Sequence, residues 1–239
     1  PFRLLGSKFD YLVVATDSGK FTILRFDVEE KRFVPQVTHT YGHTGCRRAI
    51  AGELLAVDLA GRAVMSAGVE RQKIVYPLTR DENVPLKIAS PLEANAQFTV
   101  NFDIASLDVG WDNPIFAALE VSYAEADKDH TGEAAKNAEK LLVYHEFDIG
   151  INSMKRSRAE STLRNANRIL PVPSGNQNEN GPGGSLVLSD GFVAYQKPDH
   201  DTLLARIPLR ENSAPVIIVA YDTHLQAGSG NFFFIVQSE

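Results

Sequence analysis

The chain has 239 residues and a formal charge of -6, from 24 Lys and Arg against 30 Asp and Glu, with 44% hydrophobic and 23% charged residues. It is too apolar for a disordered chain and has no run of about 18 apolar residues that could cross a membrane as a helix. It also lacks the broad basic footprint of a general nucleic-acid binder. Cys46 is the only cysteine, which excludes an intrachain disulfide and a multi-cysteine zinc site and fits a reducing compartment.

Strand signals dominate from the start. Residues 11–16 and 21–26 are β-branched and apolar runs around Asp17-Ser18-Gly19-Lys20, which predicts a β-hairpin. Phe21 and Ile23 share one face of its second strand; Thr22, Leu24 and Phe26 share the other. The same construction returns at residues 54–57, the turn Asp58-Leu59-Ala60-Gly61 and residues 62–67. A recurrence of about 40 to 45 residues is the period of a four-stranded propeller blade. Residues 114–121 and 141–147 give a further strand pair, and residues 184–188 and 192–196 flank the tight turn Ser189-Asp190-Gly191. Residues 216–221 and 232–237 close the series. Trp111-Asp112 precedes a strand rather than ending one, so a standard Trp-Asp repeat is not supported.

Helix is scarce. Residues 131–140 hold good helix formers with Thr131 as N-cap candidate, and we expect a loop there with at most one turn of helix. The polar, Gly- and Pro-rich stretch around residues 174–184 is expected to be a mobile loop.

Candidate chemistry is sparse. Asp127, Asp129 and His130 suggest a hard-metal loop, but the EF-hand spacing and its closing Glu are missing, which favours a solvated acidic loop. His39 and His43 flank a strand end, where a four-residue spacing does not face two ligands together. Ser7, Ser18 and Ser185 lack the nucleophile elbow of a hydrolase, and no phosphate loop follows the Gly181 to Gly184 segment. Cys46 is expected to be a small buried residue. We therefore assign no catalytic residue, no cofactor and no metal site. Local positive clusters stand out in the acidic chain at Arg47-Arg48, at Lys155-Arg156-Ser157-Arg158 and from Arg164 to Arg168. At the second cluster a solvated loop is favoured over a nucleic-acid contact, since no aromatics interleave. Arg47, Arg48, Arg156 and Arg158 are the candidate protein-contact residues.

Several strings together carry a family resemblance. They are Gly45-Cys46-Arg47-Arg48, Leu55-Ala56-Val57-Asp58 with Gly61-Arg62-Ala63-Val64-Met65, and Glu70-Arg71-Gln72-Lys73-Ile74-Val75-Tyr76. Further along come Ser90-Pro91-Leu92-Glu93-Ala94, Asp108-Val109-Gly110-Trp111-Asp112-Asn113-Pro114, Thr131-Gly132-Glu133-Ala134-Ala135 and Asn231-Phe232-Phe233-Phe234. In this order they resemble the large three-propeller subunit family of splicing factor 3b (subunit 3). Residues 152–180 and 197–214 fit it poorly.

The resemblance implies an all-β, WD40-like β-propeller of about four to five four-stranded blades, part of an incomplete seven-bladed ring. Residues 1–239 are then a single partial N-terminal propeller domain. It implies a nuclear, non-enzymatic scaffold of the U2 small nuclear ribonucleoprotein that supports branch-site recognition in splicing. Its partners would be other splicing factor 3b subunits, especially the helical-repeat subunit and small subunits. RNA would be touched only indirectly or peripherally, with no membrane and no small-molecule substrate. The alternatives are a cullin ubiquitin-ligase adaptor related to the DNA-damage-binding protein, a cleavage and polyadenylation subunit, or a propeller hydrolase.

Overall fold

The computed structural model describes residues 1–4, 6–16, 18–40, 51–80, 86–174, 181–208, 218–225 and 232–238. Asp17, His43, Cys46, the Arg47-Arg48 pair and the centre of the 174–184 loop lie outside the described residues.

Four antiparallel sheets follow one another along the chain. The first contains β1 (Phe2–Arg3), β2 (Asp10–Ala15), β3 (Lys20–Asp27) and β4 (Arg32–Thr40), in that order. The second contains β5 (Leu54–Val57), β6 (Ala63–Ala67) and β7 (Lys73–Thr79), with a fourth position split between β8 (Lys87–Ile88) and β9 (Leu92–Glu93). The break between β8 and β9 contains Pro91, which has no N–H to give the ladder. The third sheet contains β10 (Thr99–Ser106), β11 (Ile115–Ser122), β12 (Lys140–Asp148) and β13 (Ser153–Ser161), with α1 (Glu133–Asn137) between β11 and β12. The fourth contains β14 (Arg168–Pro171), β15 (Ser185–Leu188), β16 (Phe192–Gln196) and β17 (Leu203–Arg206). A pair, β18 (Ile218–Leu225) and β19 (Phe232–Ser238), comes last.

Each sheet is a meander, and successive sheets stack face against face like blades. The first strand of the third blade, β10, lies beside β5 on one side and β14 on the other. The period of two in strand side chains explains the packing. On β7, Ile74, Tyr76 and Leu78 join Tyr11, Val13, Phe21 and Ile23 of the first blade, while Val75 faces Phe116, Ala118 and Phe147 of the third. On β11, Phe116 and Ala118 point to the second blade; Ala117 and Leu119 point to Ile169, Val187 and Ala194 of the fourth. Strands buried on both faces are nearly all apolar rather than alternating, as in the Lys73–Thr79 strand, where Lys73 is the one charge and only the last residue is exposed. The first blade differs. Tyr11, Val13, Phe21 and Ile23 are buried, whereas Val14, Phe26 and Phe33 on its far face are exposed.

The hairpins anticipated around Gly19, Gly61 and Gly191 all form. Gly61 has φ +69°, and a Cβ there would lie 2.2 Å from the carbonyl oxygen of Arg3, so both backbone angle and space demand glycine. Two expectations are corrected. Residues 153–161, expected as a solvated loop around the Lys155 cluster, are the strand β13, paired with β12 along its length. This outer strand is mostly exposed, which removed the apolar signature that marks buried strands. Helix α1 is five residues long, a little over the one turn expected, and Thr131 is not its N-cap. Gly132 takes that place in a left-handed conformation, and Asp129 accepts the N–H groups of Thr131 and Ala134 instead.

Candidate interaction surfaces

In a four-stranded meander the first and third turns emerge at one end and the second at the other. Hydrogen bonds tie the first-end turns of neighbouring blades into a rim. Arg80 donates to the carbonyl of Gly6 at 2.6 Å. Asp58, buried in the β5–β6 turn, holds the Arg62 guanidinium and backbone N–H, and Arg62 donates onward to the carbonyls of Trp111 and Asp112 at 3.3 and 2.6 Å. Asn113 receives the N–H of Ile149 and donates to Glu146, and Asp108 receives the N–H of Ser174.

This upper rim displays apolar side chains on rigid turns: Phe9, Val28, Leu59, Trp111, Ile149 and Ile151. The opposite rim carries a charged insertion, with Phe98 and Phe192 also exposed at that end. Glu125, Lys128, Glu133 and Lys136 pair across one turn each in the 123–139 insertion. Asp129 is held well below the usual carboxylate range, at about 2, by the hydrogen bonds from Ala134 and Thr131. The Asp127–His130 segment is thus an acidic loop braced by its own backbone. Among the described residues no group of three His, Cys, Asp or Glu side chains could hold a metal ion.

A cleft of about 1000 Å³ opens on the upper rim between the third and fourth blades. Its apolar floor is Leu107, Val109 and Ile115; Trp111 and Asp112 stand at one lip and Lys197 and Asp199 at the other. Tyr144 lines its wall with the hydroxyl buried toward Ser185 and Glu160, and burial raises its pKa.

The predicted contact residues separate. Arg158 lies on this cleft, bound to Glu160 at 2.5 Å and Asp199 at 2.6 Å, so its charge is answered within the chain. Arg156 is exposed on β13, opposite His145 in register. Arg164 donates to the carbonyl of Lys136, and Arg168 lies 3.9 Å from Asp103. His39 packs edge-on against Tyr76.

Sequence reasoning missed a buried charged group in the seam between the second and third blades. Lys73 Nζ lies 3.0 Å from Glu120 Oε1, and His145 Nε2 lies 3.2 Å from the same oxygen. All three are buried. Burial alone would raise the Glu120 carboxyl, but the hydrogen bond from His145 and the charge of Lys73 outweigh it and hold it below its ordinary value. The signal was a charged residue embedded in an apolar run, as in Lys73-Ile74-Val75-Tyr76 and Ala117-Ala118-Leu119-Glu120-Val121.

Stacked meander blades with adjacent first strands and turn-built rims define a β-propeller domain. The description "RSE1/DDB1/CPSF1 first beta-propeller" belongs to the family model that matches residues 1–239. The chain belongs to this family. It is 42% identical over 257 residues to the pre-mRNA-splicing factor prp12 of Schizosaccharomyces pombe, covering 100% of this chain and 21% of that protein. It is 42% identical to the spliceosome-associated protein 130 A of Arabidopsis thaliana and 40% identical to the splicing factor 3B subunit 3 of Danio rerio. In both the match covers all of this chain, with 19% and 20% of the respective relatives. The chain thus spans about a fifth of the length of these relatives.

Proposed function

We propose that this propeller arc works as a non-enzymatic scaffold in a nuclear splicing complex, as part of a splicing factor 3B subunit 3. Its role would be to hold other splicing factor 3b subunits, the helical-repeat subunit among them, in the particle that recognises the intron branch site. The observation that carries this reading is similarity along the whole of this chain to proteins named as splicing factors or spliceosome-associated proteins, at 37 to 42% identity. The upper rim supports it, because fixed apolar side chains on hydrogen-bonded turns suit protein contacts. Residues 1–239 are read as an arc of a seven-bladed ring completed by residues outside this chain, and the exposed far face of the first blade agrees with such a neighbour.

Arg47, Arg48 and Arg156 remain proposed protein contacts. Arg158 is proposed as one that keeps its Glu160 and Asp199 pairs and meets a partner with the stem of its side chain. RNA contact is proposed as peripheral at most. Affinity purification of the whole protein with mass spectrometry tests the reading. Recovery of splicing factor 3b subunits is the expected result, and recovery of a cullin without any of them would overturn it.

A further inference from the structure

We propose that the cleft between the third and fourth blades is a docking site for a basic, apolar peptide segment of a protein partner, with a Lys or Arg of that segment seated on Trp111 and Asp112. The inference deepens the scaffold reading and rests on it.

Two features point to an occupant. The cleft is at the upper end of the size range of ligand pockets, and its floor of Leu107, Val109 and Ile115 offers an apolar side chain a place out of water. Tyr144 lines the same cleft as part of its wall, 1% exposed, with its hydroxyl turned toward Ser185 and Glu160. Trp111 is 74% exposed beside Asp112, and Arg62 of the second blade holds both of their carbonyls. A large exposed indole on a braced turn is a favoured anchor at interfaces.

Charge selects the occupant. Asp108, Asp112 and Asp199 line the cleft against Arg158 and Lys197. Both cations are engaged: Arg158 by Glu160 and Asp199, and Lys197 by the carbonyl of Pro182. Asp108 is occupied by the N–H groups of Gly110 and Ser174. The Asp112 carboxylate has no such partner among the described residues and follows Trp111 in the same turn at the cleft. An aromatic face with an adjacent carboxylate is a receptor for a cation, through cation–π attraction and an ion pair together. A phosphate backbone meets the opposite: carboxylates at the lips and arginine already neutralised.

The test titrates the whole protein against three fluorescein-labelled probes followed by anisotropy. One is a peptide of about 12 residues alternating Leu with Lys and Arg, the second has Glu at every Lys and Arg, and the third is a single-stranded RNA of about 12 nucleotides. The basic peptide is expected to bind. Trp111→Ala and Asp112→Lys are each expected to weaken it about tenfold, and Glu133→Lys on the opposite rim is expected to leave it unchanged. Binding of the acidic peptide or the RNA as tightly as the basic peptide overturns the proposal. So does unchanged affinity in both cleft variants, or no binding of the basic peptide. Failure here, with splicing factor 3b subunits still recovered by the affinity purification, removes the cleft and leaves the scaffold reading in place.

Discussion

The seam between the second and third blades and the far face of the first blade are built from the same kind of strand, yet they end in opposite environments. In the seam, Met65, Val75, Phe116 and Ala118 are fully buried around the Lys73–Glu120–His145 group. On the far face, Val14, Phe26 and Phe33 are exposed, with the two phenylalanine rings edge-to-face at 5.3 Å. Nothing in the local sequence separates the two surfaces. Burial is conferred by the neighbouring blade, so apolar residues identify a propeller strand but not whether its face is covered.

The sharpest way to break the contrast is to empty the seam of one charge. Glu120→Ala leaves the Lys73 ammonium buried with no counter-charge and is expected to cost about 3–5 kcal/mol, read from the denaturant midpoint. The double variant Lys73→Met, Glu120→Leu is expected to recover most of that loss; failure to do so would mean that the charges specify the seam rather than merely tolerate each other. Gly61→Val is next. It places a Cβ against the Arg3 carbonyl at a left-handed φ, and a loss of about 1–3 kcal/mol from backbone strain alone is expected in a thermal melt. An unchanged melting temperature would show that the turn can rearrange.

On the open face the expectation reverses. Phe26→Ser together with Phe33→Ser should change stability by less than about 0.5 kcal/mol per site in this chain. A larger loss would reveal a cover over the first blade. The smallest effect is expected at Asp129. Its folded-state pKa is depressed, so whatever it contributes is present above the usual carboxylate range and is lost as pH falls through about 2. A carboxyl titration by NMR should place its midpoint near 2, and a midpoint near 4 would show that the Thr131 and Ala134 bonds do not persist in solution.

What was legible follows from the same contrast. The tight hairpins were visible because Asp, Ser and Gly turns separate short apolar runs, as at Ser189-Asp190-Gly191 between β15 and β16. The outer strand β13 was not, because its residues face water and its sequence, Ser-Met-Lys-Arg-Ser-Arg-Ala-Glu-Ser, has no period to read. β10 was hidden by a bulge between Asn101 and Asp103 that turns Phe102 outward under Lys140 and frees Asp103 to receive the N–H of Ile169 in the next blade. The contact sites were the least legible. Trp111 is conspicuous in the sequence, but its meaning depends on Arg62, Asp58 and Tyr144, which converge on that rim only after three blades have stacked.

The division of side chains along β11 carries one more consequence, for how the chain can change length. Phe116 and Ala118 serve one seam while Ala117 and Leu119 serve the next, so inserting or deleting a single residue there would exchange the two sets. Phenylalanine would arrive where alanine fits, and both seams would fail at once. Insertions in this strand are therefore expected only at its ends. The long excursion over residues 123–139 begins just after Ser122, at the end of β11 that opens on the charged rim, where added length disturbs neither seam nor the Trp111 turn.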